Sequence, residues 1–154
     1  MCFKVVLVEP QIPPNTGNIA RLCAAVKLPL HLVDPLGFDI TDRQLKRAGL
    51  DYWHLVEVHR HSSLSEFLST VPHFGLHFFS KKASRSYIEA SYSSGDHLVF
   101  GSETLGLPEW LIEAFPGQFW RIPIFEEGVR SLNLASAAAI VAYEALRQNG
   151  RLSD

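Results

Sequence analysis

The sequence is poor in cysteine and has no long apolar run, and each absence excludes a class of protein. Its 154 residues include only two cysteines, Cys2 and Cys23, so a disulfide framework or a cysteine-rich metal site is not expected. No apolar stretch approaches the roughly 20 residues of a membrane helix. The start, MCFKVVLVEP, lacks the pattern of a secretory signal. We therefore expect a cytoplasmic protein with no membrane partner.

Signatures of the common nucleotide-binding and hydrolytic enzymes are missing as well. There is no GxGxxG after the first apolar run, and no GxxxxGK[ST], GxSxG or HExxH anywhere, which disfavours a Rossmann cofactor site, a P-loop, a hydrolase elbow and a zinc protease. His54, His59 and His61 are close in sequence but lack partners at ligand spacing, so no metal is expected. The net charge of −2 means that a nucleic acid would have to meet a local basic patch.

Short apolar runs alternate with helical patterns along the chain. The runs predict strands at 4–8, 30–33, 55–58, 74–79, 97–100 and 119–122, and the periodic stretches predict helices at 17–26, 42–48, 64–70, 108–114 and 133–147. Several runs are continuous rather than alternating, as expected for strands covered on both faces. The pattern predicts one α/β domain over residues 1–154, with a mostly parallel sheet flanked by helices.

The last predicted helix, LNLASAAAIVAYEAL, is apolar or small on almost every side. Because such a helix has no wet face, it either lies inside the domain or packs partly against a second subunit. Small residues such as Ala138 and Ala142 would allow another helix to approach closely. We favour a homodimer, with a fully internal helix as the alternative.

Two segments contain polar residues that a turn does not explain. In IPPNTGNIAR, Asn15 or Thr16 can cap a helix and Gly17 permits a close approach. Arg21, however, lies about one turn into that helix, where a cation opposes the macrodipole unless it meets an anion. In VFGSETLGLP, glycines frame a tight loop at the carboxyl end of a strand, which is the side on which α/β sheets bind ligands. A turn could form there without a carboxylate, so the turn does not explain Glu103.

A third segment, RIPIFEEGVRSLNLASA, connects the last strand to the last helix. Either Ser131 or Asn133 can cap that helix, and capping requires only one of them.

Together the three segments resemble the motifs of the SPOUT RNA methyltransferases, in particular the small members that methylate the ribose 2′-hydroxyl of the tRNA wobble nucleotide. The similarity runs through EPQIPPNTGNIARLCA, RAGLDYW, FGSETLGLP and RIPIF…RSLNLASA…VAYEALR, in order and at the family's spacing. It implies a C-terminal trefoil knot, a homodimer, S-adenosyl-L-methionine as methyl donor, S-adenosyl-L-homocysteine as product and no metal. The implied substrate is a tRNA anticodon stem-loop with cytidine or a 5-carboxymethylaminomethyluridine-type nucleotide at the wobble position.

The resemblance also implies roles for single residues. The implied catalytic residues are Arg21, Asn15, Glu103, Ser131 and Asn133, and the implied cofactor-binding residues are Phe79, Gly101, Ile122, Ser131 and Leu132. In the family, the motif-one arginine is held to activate the attacking hydroxyl. A guanidinium keeps its proton in proteins, so Arg21 could instead bind a phosphate and stabilise the developing oxyanion. Ser102, Leu105 and the stretch 125–129 occupy positions that vary in the family.

Two groups of basic residues are candidates for binding the RNA backbone. Arg43, Lys46 and Arg47 share one face of the predicted helix at 42–48, and Lys81, Lys82 and Arg85 follow the fourth predicted strand. A solvated surface is the plainer interpretation of the first group. Two other functions remain open: 2′-O-methylation of another tRNA or rRNA site, and RNA binding without catalysis.

Overall fold

The chain forms a six-stranded sheet in which every strand pair is parallel. The computed structural model describes residues 2–41, 43, 47 and 52–153. The strands are β1 (Lys4–Val8), β2 (Leu30–Val33), β3 (Val58–His61), β4 (Leu76–Phe79), β5 (His97–Phe100) and β6 (Phe119–Trp120). The described helices include α1 (Pro13–Val26), α2 (Leu64–Thr70), α3 (Trp110–Ala114) and α4 (Leu134–Gln148), and short 3-10 turns occupy His73–Gly75 and Tyr87–Glu89.

The order of the strands across the sheet is β3-β2-β1-β5-β4-β6. The chain therefore runs outward from β1 to β3, returns, and fills the other half of the sheet on the far side of β1. Strands β1 and β5 are neighbours at the point where the order reverses. In open parallel sheets, ligands bind at the carboxyl ends of the strands near such a reversal.

Both faces of the sheet are covered, which explains the continuous apolar runs. Along β1, Val5 and Leu7 belong to the core that includes residues of α1 and α4. Val6 and Val8 point to the opposite side, into a core that includes residues of α2 and α3. A period of two sends successive side chains to opposite faces, so a buried strand carries apolar residues on both faces, and the buried His31, His77 and His97 are exceptions to this pattern.

The predicted elements are largely confirmed, with one displaced strand. The bounds of β1, β2, β5 and α2 agree with the predictions residue for residue. The prediction of a strand at 55–58 is wrong: β3 occupies Val58–His61, three residues later. This strand lies at the edge of the sheet and is only partly buried, so no apolar run marks it, and two histidines fill positions where a central strand would be apolar.

The start of α1 also differs from the prediction. The helix begins at Pro13 rather than near residue 17, and its N-cap residue, Ile12, has no side-chain hydrogen bond to the helix. Asn15 and Thr16 are therefore inside the helix and do not cap it. Of the predicted helix at 42–48, only Arg43 and Arg47 are among the described residues, and both are helical and exposed. Lys46 lies outside the described residues.

Helix α4 has one buried face and one partly exposed face. Residues such as Ala138 and Val141 are fully buried, and α4 packs against α1 and β5. On the other side, Ile140 and Tyr143 remain 37% and 44% exposed. In the part of the chain that is described, no helix has the length and hydropathy needed to cross a membrane. The trefoil knot stays a prediction.

Candidate functional site

A cavity of about 650 Å³ opens at the carboxyl end of the sheet, lined by residues that follow β4, β5 and β6. Its volume falls in the range of small-molecule sites, roughly 300–1,000 Å³. Most of the residues predicted to act in catalysis or cofactor binding line it: Asn15, Phe79, Gly101, Glu103, Ile122, Ser131, Leu132 and Asn133. The three sequence motifs therefore meet at one place, and Arg21 is the predicted residue of this set that does not line the cavity.

Glu103 joins the loop after β5 to the start of α1. Its Oε1 accepts a hydrogen bond from the backbone N–H of Gln11 at 2.8 Å, and its Oε2 accepts one from the N–H of Ile12 at 2.9 Å. These N–H groups lie at the amino end of α1, where helices leave donors unsatisfied and favour negative charge. The Glu103 carboxylate, which the resemblance implies to be catalytic, thus holds the two residues directly before α1.

Asn15 connects Glu103 to the start of α4. Its Nδ2 donates to Glu103 Oε2 at 3.2 Å, and its Oδ1 accepts from Asn133 Nδ2 at 3.0 Å. Asn133 in turn caps α4, because its Oδ1 accepts from the backbone N–H groups of Ala135 and Ser136 at 2.9 and 3.3 Å. Each amide oxygen accepts and each amide nitrogen donates, so this chain of hydrogen bonds fixes the orientation of both asparagines.

The loop that follows β5 is folded tightly around a glycine. A Cβ atom at Gly101 would overlap the backbone of Gly106 and Leu107, so no other residue fits without moving that loop. The loop closes through a 3.0 Å hydrogen bond from Gly106 N to the carbonyl of Ser102, and Gly106 has a φ of +67°. This left-handed conformation favours glycine. Gly101 is therefore required because its surroundings leave no room for a Cβ atom, and Gly106 is favoured because its backbone is left-handed.

Apolar side chains form much of the cavity wall. Phe79 stacks on Phe100 with ring centroids 4.9 Å apart, and Ile122, Leu107 and Leu132 add aliphatic surface. Flat apolar walls beside exposed backbone groups of a glycine-containing loop suit a heterocyclic ring that also needs hydrogen bonds. Ser131 lines the same cavity and is exposed, so its hydroxyl is open to solvent or a ligand.

The Arg21 side chain lies away from the residues that line the cavity. It is six residues beyond Asn15 on α1, which places it about 240° around the helix and about 9 Å further along it. Its side chain is exposed, with the guanidinium carbon 5.0 Å from the centre of the Tyr52 ring. A guanidinium over an aromatic face keeps its N–H edges available for an anion such as a phosphate.

The basic residues after β4 occupy different settings. Lys81 and Lys82 line the cavity, whereas the guanidinium of Arg85 lies over the Trp120 ring, 4.5 Å from its centre. Lys82 Nζ is 2.6 Å from Glu109 Oε1, and this hydrogen bond holds the pKa of the Glu109 carboxyl below its usual value. Within the described part of the chain, Lys81 forms no ion pair.

Arg130 was missed by sequence reasoning. It lines the cavity next to Ser131, is exposed, and forms no ion pair with any residue that the structure describes. The signal that could have found it is a cation directly before a predicted site serine, in a loop whose other charged residues after Arg121 are Glu126 and Glu127.

A cluster of histidines lies away from the cavity and outside its chemistry. His31 Nδ1 is 2.8 Å from His61 Nε2, and the His31 ring stacks on the His59 ring with centroids 4.6 Å apart. Burial lowers the pKa of His31 to about 3 and that of His97 to about 4, helped by the neighbouring histidines and Lys4. Over residues 2–41, 43, 47 and 52–153, no group of three or more histidine, cysteine or acidic side chains is arranged to hold a metal ion.

The fold is that of a family of RNA-methylating enzymes. Residues 3–143 match the sequence profile of the SpoU rRNA methylase family, and the chain belongs to that family. The tRNA (cytidine(34)-2′-O)-methyltransferase of Escherichia coli strain K12 is 45% identical over 149 residues, which cover 96% of this chain and 94% of the relative.

Solved structures agree with the sequence comparison. One that describes the 2-OH methylation of C/U34 on tRNA matches this chain with a TM-score of 0.90 at 46% identity, covering 97% of each chain. An AdoMet-bound rRNA methyltransferase from Sinorhizobium meliloti matches with a TM-score of 0.85 at 26% identity and covers 99% of this chain but 57% of its own. The predicted family and the predicted α/β fold are therefore confirmed.

Proposed function

We propose that this protein transfers a methyl group from S-adenosyl-L-methionine to the ribose 2′-hydroxyl of the wobble nucleotide of tRNA, in the cytoplasm and as a homodimer. The observation that carries the proposal is the convergence of the three motifs on one cavity, through the hydrogen-bonded chain Glu103–Asn15–Asn133. The similarity to enzymes named for cytidine 34 of tRNA supplies the substrate. A C-terminal trefoil knot is part of the same proposal.

The cavity fits the methyl donor. Its apolar wall at Phe79, Ile122 and Leu132 suits an adenine ring, and the tightly packed loop from Gly101 to Leu107 brings backbone groups to the same cavity. When bound, S-adenosyl-L-methionine would supply an electrophilic methyl group on a positively charged sulfur, and attack of an oxygen on that methyl carbon would release the sulfur as the neutral thioether of S-adenosyl-L-homocysteine. The chain's task is therefore to place that oxygen and to assist the loss of its proton.

Glu103, Asn15 and Asn133 act in this proposal by holding the walls of the site. The Glu103 carboxylate already accepts hydrogen bonds from two backbone N–H groups and one side-chain amide. A carboxylate that is occupied in this way is a poor acceptor for a substrate proton, so we assign it a positioning role. Ser131, whose hydroxyl is open to the cavity, is the member of the predicted set best placed to contact a ligand directly.

Arg21 acts as an anion-binding group in this proposal. Its guanidinium keeps its proton at any ordinary pH, so it binds a phosphate beside the reacting ribose and stabilises negative charge that develops on the oxygen. In this proposal, six further basic residues supply positive charge for the anticodon stem-loop: Arg43, Lys46, Arg47, Lys81, Lys82 and Arg85. Apolar residues left partly exposed on α4, Ile140 and Tyr143, support the homodimer.

The proposal is tested by incubating the purified protein with labelled S-adenosyl-L-methionine and, in parallel reactions, with bulk tRNA and with rRNA. Label should enter tRNA, and nuclease digestion with mass mapping should locate it on the ribose at position 34. Label on another tRNA position or only on rRNA would replace the wobble assignment with the first alternative. Absence of label from every RNA, combined with retained RNA binding, would indicate a non-catalytic relative.

A further inference from the structure

The surface beside the cavity carries an aromatic residue that the fold does not use. Phe125 is 96% exposed and lies between β6 and α4, directly after Ile124, which lines the cavity. A phenyl ring left in water contributes no burial to folding, and its position beside the cavity, rather than its exposure alone, makes it a candidate for contact with a bound partner.

The backbone that follows Phe125 is ordered by its own hydrogen bonds. The N–H of Val129 donates to the carbonyl of Glu126 at 3.1 Å, and the N–H of Gly128 donates to Oε1 of the same glutamate at 3.0 Å. The turn thus forms within the chain, and Phe125 is presented from an ordered segment. A segment that is already ordered loses less conformational entropy on binding than a flexible segment does.

The charges around Phe125 select the kind of group that it can meet. Arg130 and Lys81 line the adjacent cavity and, among the described residues, form no ion pair, so both are available to a phosphate. Glu126 and Glu127 directly follow Phe125 and are exposed, so a phosphate next to the ring would be repelled. A neutral, flat group fits at the ring and an anion fits at Arg130.

We propose that residues 123–130 form a substrate-binding lip of the cavity, in which Phe125 stacks on an unpaired nucleobase of the RNA and Arg130 binds a backbone phosphate of the same RNA segment. This inference rests on the proposed RNA methylation. Single-stranded loops are recognised in this way, by aromatic side chains that stack on splayed bases and by arginines that bind the backbone.

The same surface fits a second copy of the chain less well. The centres of subunit interfaces are apolar and depleted of charged residues. Phe125, however, is followed at once by two carboxylates and lies in the same segment as Arg130. Burying the ring against another protein would bury those charges with it, whereas a base stacked on the ring leaves them in water.

The test is the substitution Phe125→Ala, with Phe74→Ala as its matched control. Phe74 is 88% exposed but precedes β4, at the amino edge of the sheet, away from the cavity. Stacking on one base is worth about 1–3 kcal/mol by alanine substitution. For an open site we expect the lower part of that range, so the KM for tRNA should rise about 5- to 20-fold. The value of kcat and the affinity for S-adenosyl-L-methionine should stay close to wild type, and Phe74→Ala should match wild type throughout.

Two further substitutions distinguish stacking from general apolar contact and phosphate binding from cofactor binding. Phe125→Trp should retain a wild-type KM for tRNA, whereas Phe125→Leu should behave like Phe125→Ala. Arg130→Ala should weaken tRNA binding and reduce the slope of log K against log salt by about one phosphate contact. If Arg130→Ala instead weakens S-adenosyl-L-methionine binding and leaves tRNA binding intact, the assignment of Arg130 is overturned.

Other results would overturn the role of Phe125. A wild-type KM for Phe125→Ala, or a wild-type KM for Phe125→Leu, excludes stacking. Loss of the oligomeric state of wild type in Phe125→Ala, measured by analytical ultracentrifugation, assigns the ring to a subunit contact instead. If the wild-type protein methylates tRNA and Phe125→Ala has the same KM for tRNA, this inference alone is refuted. If the wild-type protein methylates no RNA, the proposed function is refuted and this inference with it.

Discussion

The substitution Glu103→Gln separates a positioning carboxylate from a catalytic one. The replacement keeps the size and shape of the side chain and removes its charge. In the native chain the carboxylate accepts hydrogen bonds from Gln11 N, Ile12 N and Asn15 Nδ2. An amide offers only one oxygen, so its NH2 group must face at least one of these donors, and that donor loses its partner.

The expected loss of stability follows from these contacts. A hydrogen bond to a charged group is worth about 1.5–3 kcal/mol, and a carboxylate at a helix N-terminus adds about 0.3–1 kcal/mol. Glu103 is only half-buried, so water offsets part of the loss, and we expect a decrease of about 2–3 kcal/mol in the free energy of unfolding. For a chain of this size, about 2–4 °C per kcal/mol corresponds to a fall in Tm of about 4–12 °C.

Thermal denaturation and methyl transfer, measured together, test the positioning role. Glu103→Gln should lower the Tm, weaken S-adenosyl-L-methionine binding and slow transfer, while the pH dependence of kcat keeps its wild-type shape. Glu109→Gln is the control, because Glu109 is a fully exposed neighbour bonded only to the flexible Lys82, and its Tm should change little. A Glu103→Gln protein with wild-type Tm and cofactor affinity but a lost acidic limb in its pH–rate profile would refute the reasoning and make Glu103 a proton-transfer group.

Three further outcomes are expected. Gly101→Ala should weaken S-adenosyl-L-methionine binding measured by calorimetry and destabilise the fold by about 1–3 kcal/mol, since the new methyl group overlaps backbone; unchanged affinity would contradict the tight loop. Arg21→Ala should abolish methyl transfer with Tm and cofactor affinity intact, because Arg21 does not line the cavity; near-normal transfer would exclude it from the reaction. The free energy of unfolding should fall as the pH drops from about 6.5 towards 4, because the pKa values of His31 and His97, lowered to about 3 and 4, keep both rings neutral in the fold while the unfolded chain takes up protons. At pH 5 the loss relative to pH 7.5 should be at most about 2 kcal/mol for each ring, and urea unfolding that shows no loss would contradict their burial.

The sequence by itself determined the parts of this protein that depend on neighbouring residues. Continuous, largely apolar runs locate β1, β2 and β5 because a strand buried on both faces needs apolar residues on both of them. The three motifs identify the family because their residue types and order are specific, and the comparisons confirm it. The predicted position of the edge strand β3 was three residues too early, because a half-exposed strand has no such apolar run to mark it.

Only the tertiary structure decided what the polar residues of the motifs do. Asn15 bonds to Glu103 across 88 positions of the chain and to Asn133 across 118, and no local pattern encodes contacts at such separations. The sequence marks Glu103 as a candidate catalytic carboxylate, and only the fold shows that it also bonds to the two residues directly before a helix that begins far away in sequence. Arg21 lies six residues beyond Asn15 in the same motif, and the resemblance implies that both are catalytic. Helical geometry, however, turns Arg21 away from the cavity. The return of the chain across the sheet brings Arg130 and Phe125 to the mouth of the site, because parallel strands align their carboxyl ends whatever the distance between them in sequence.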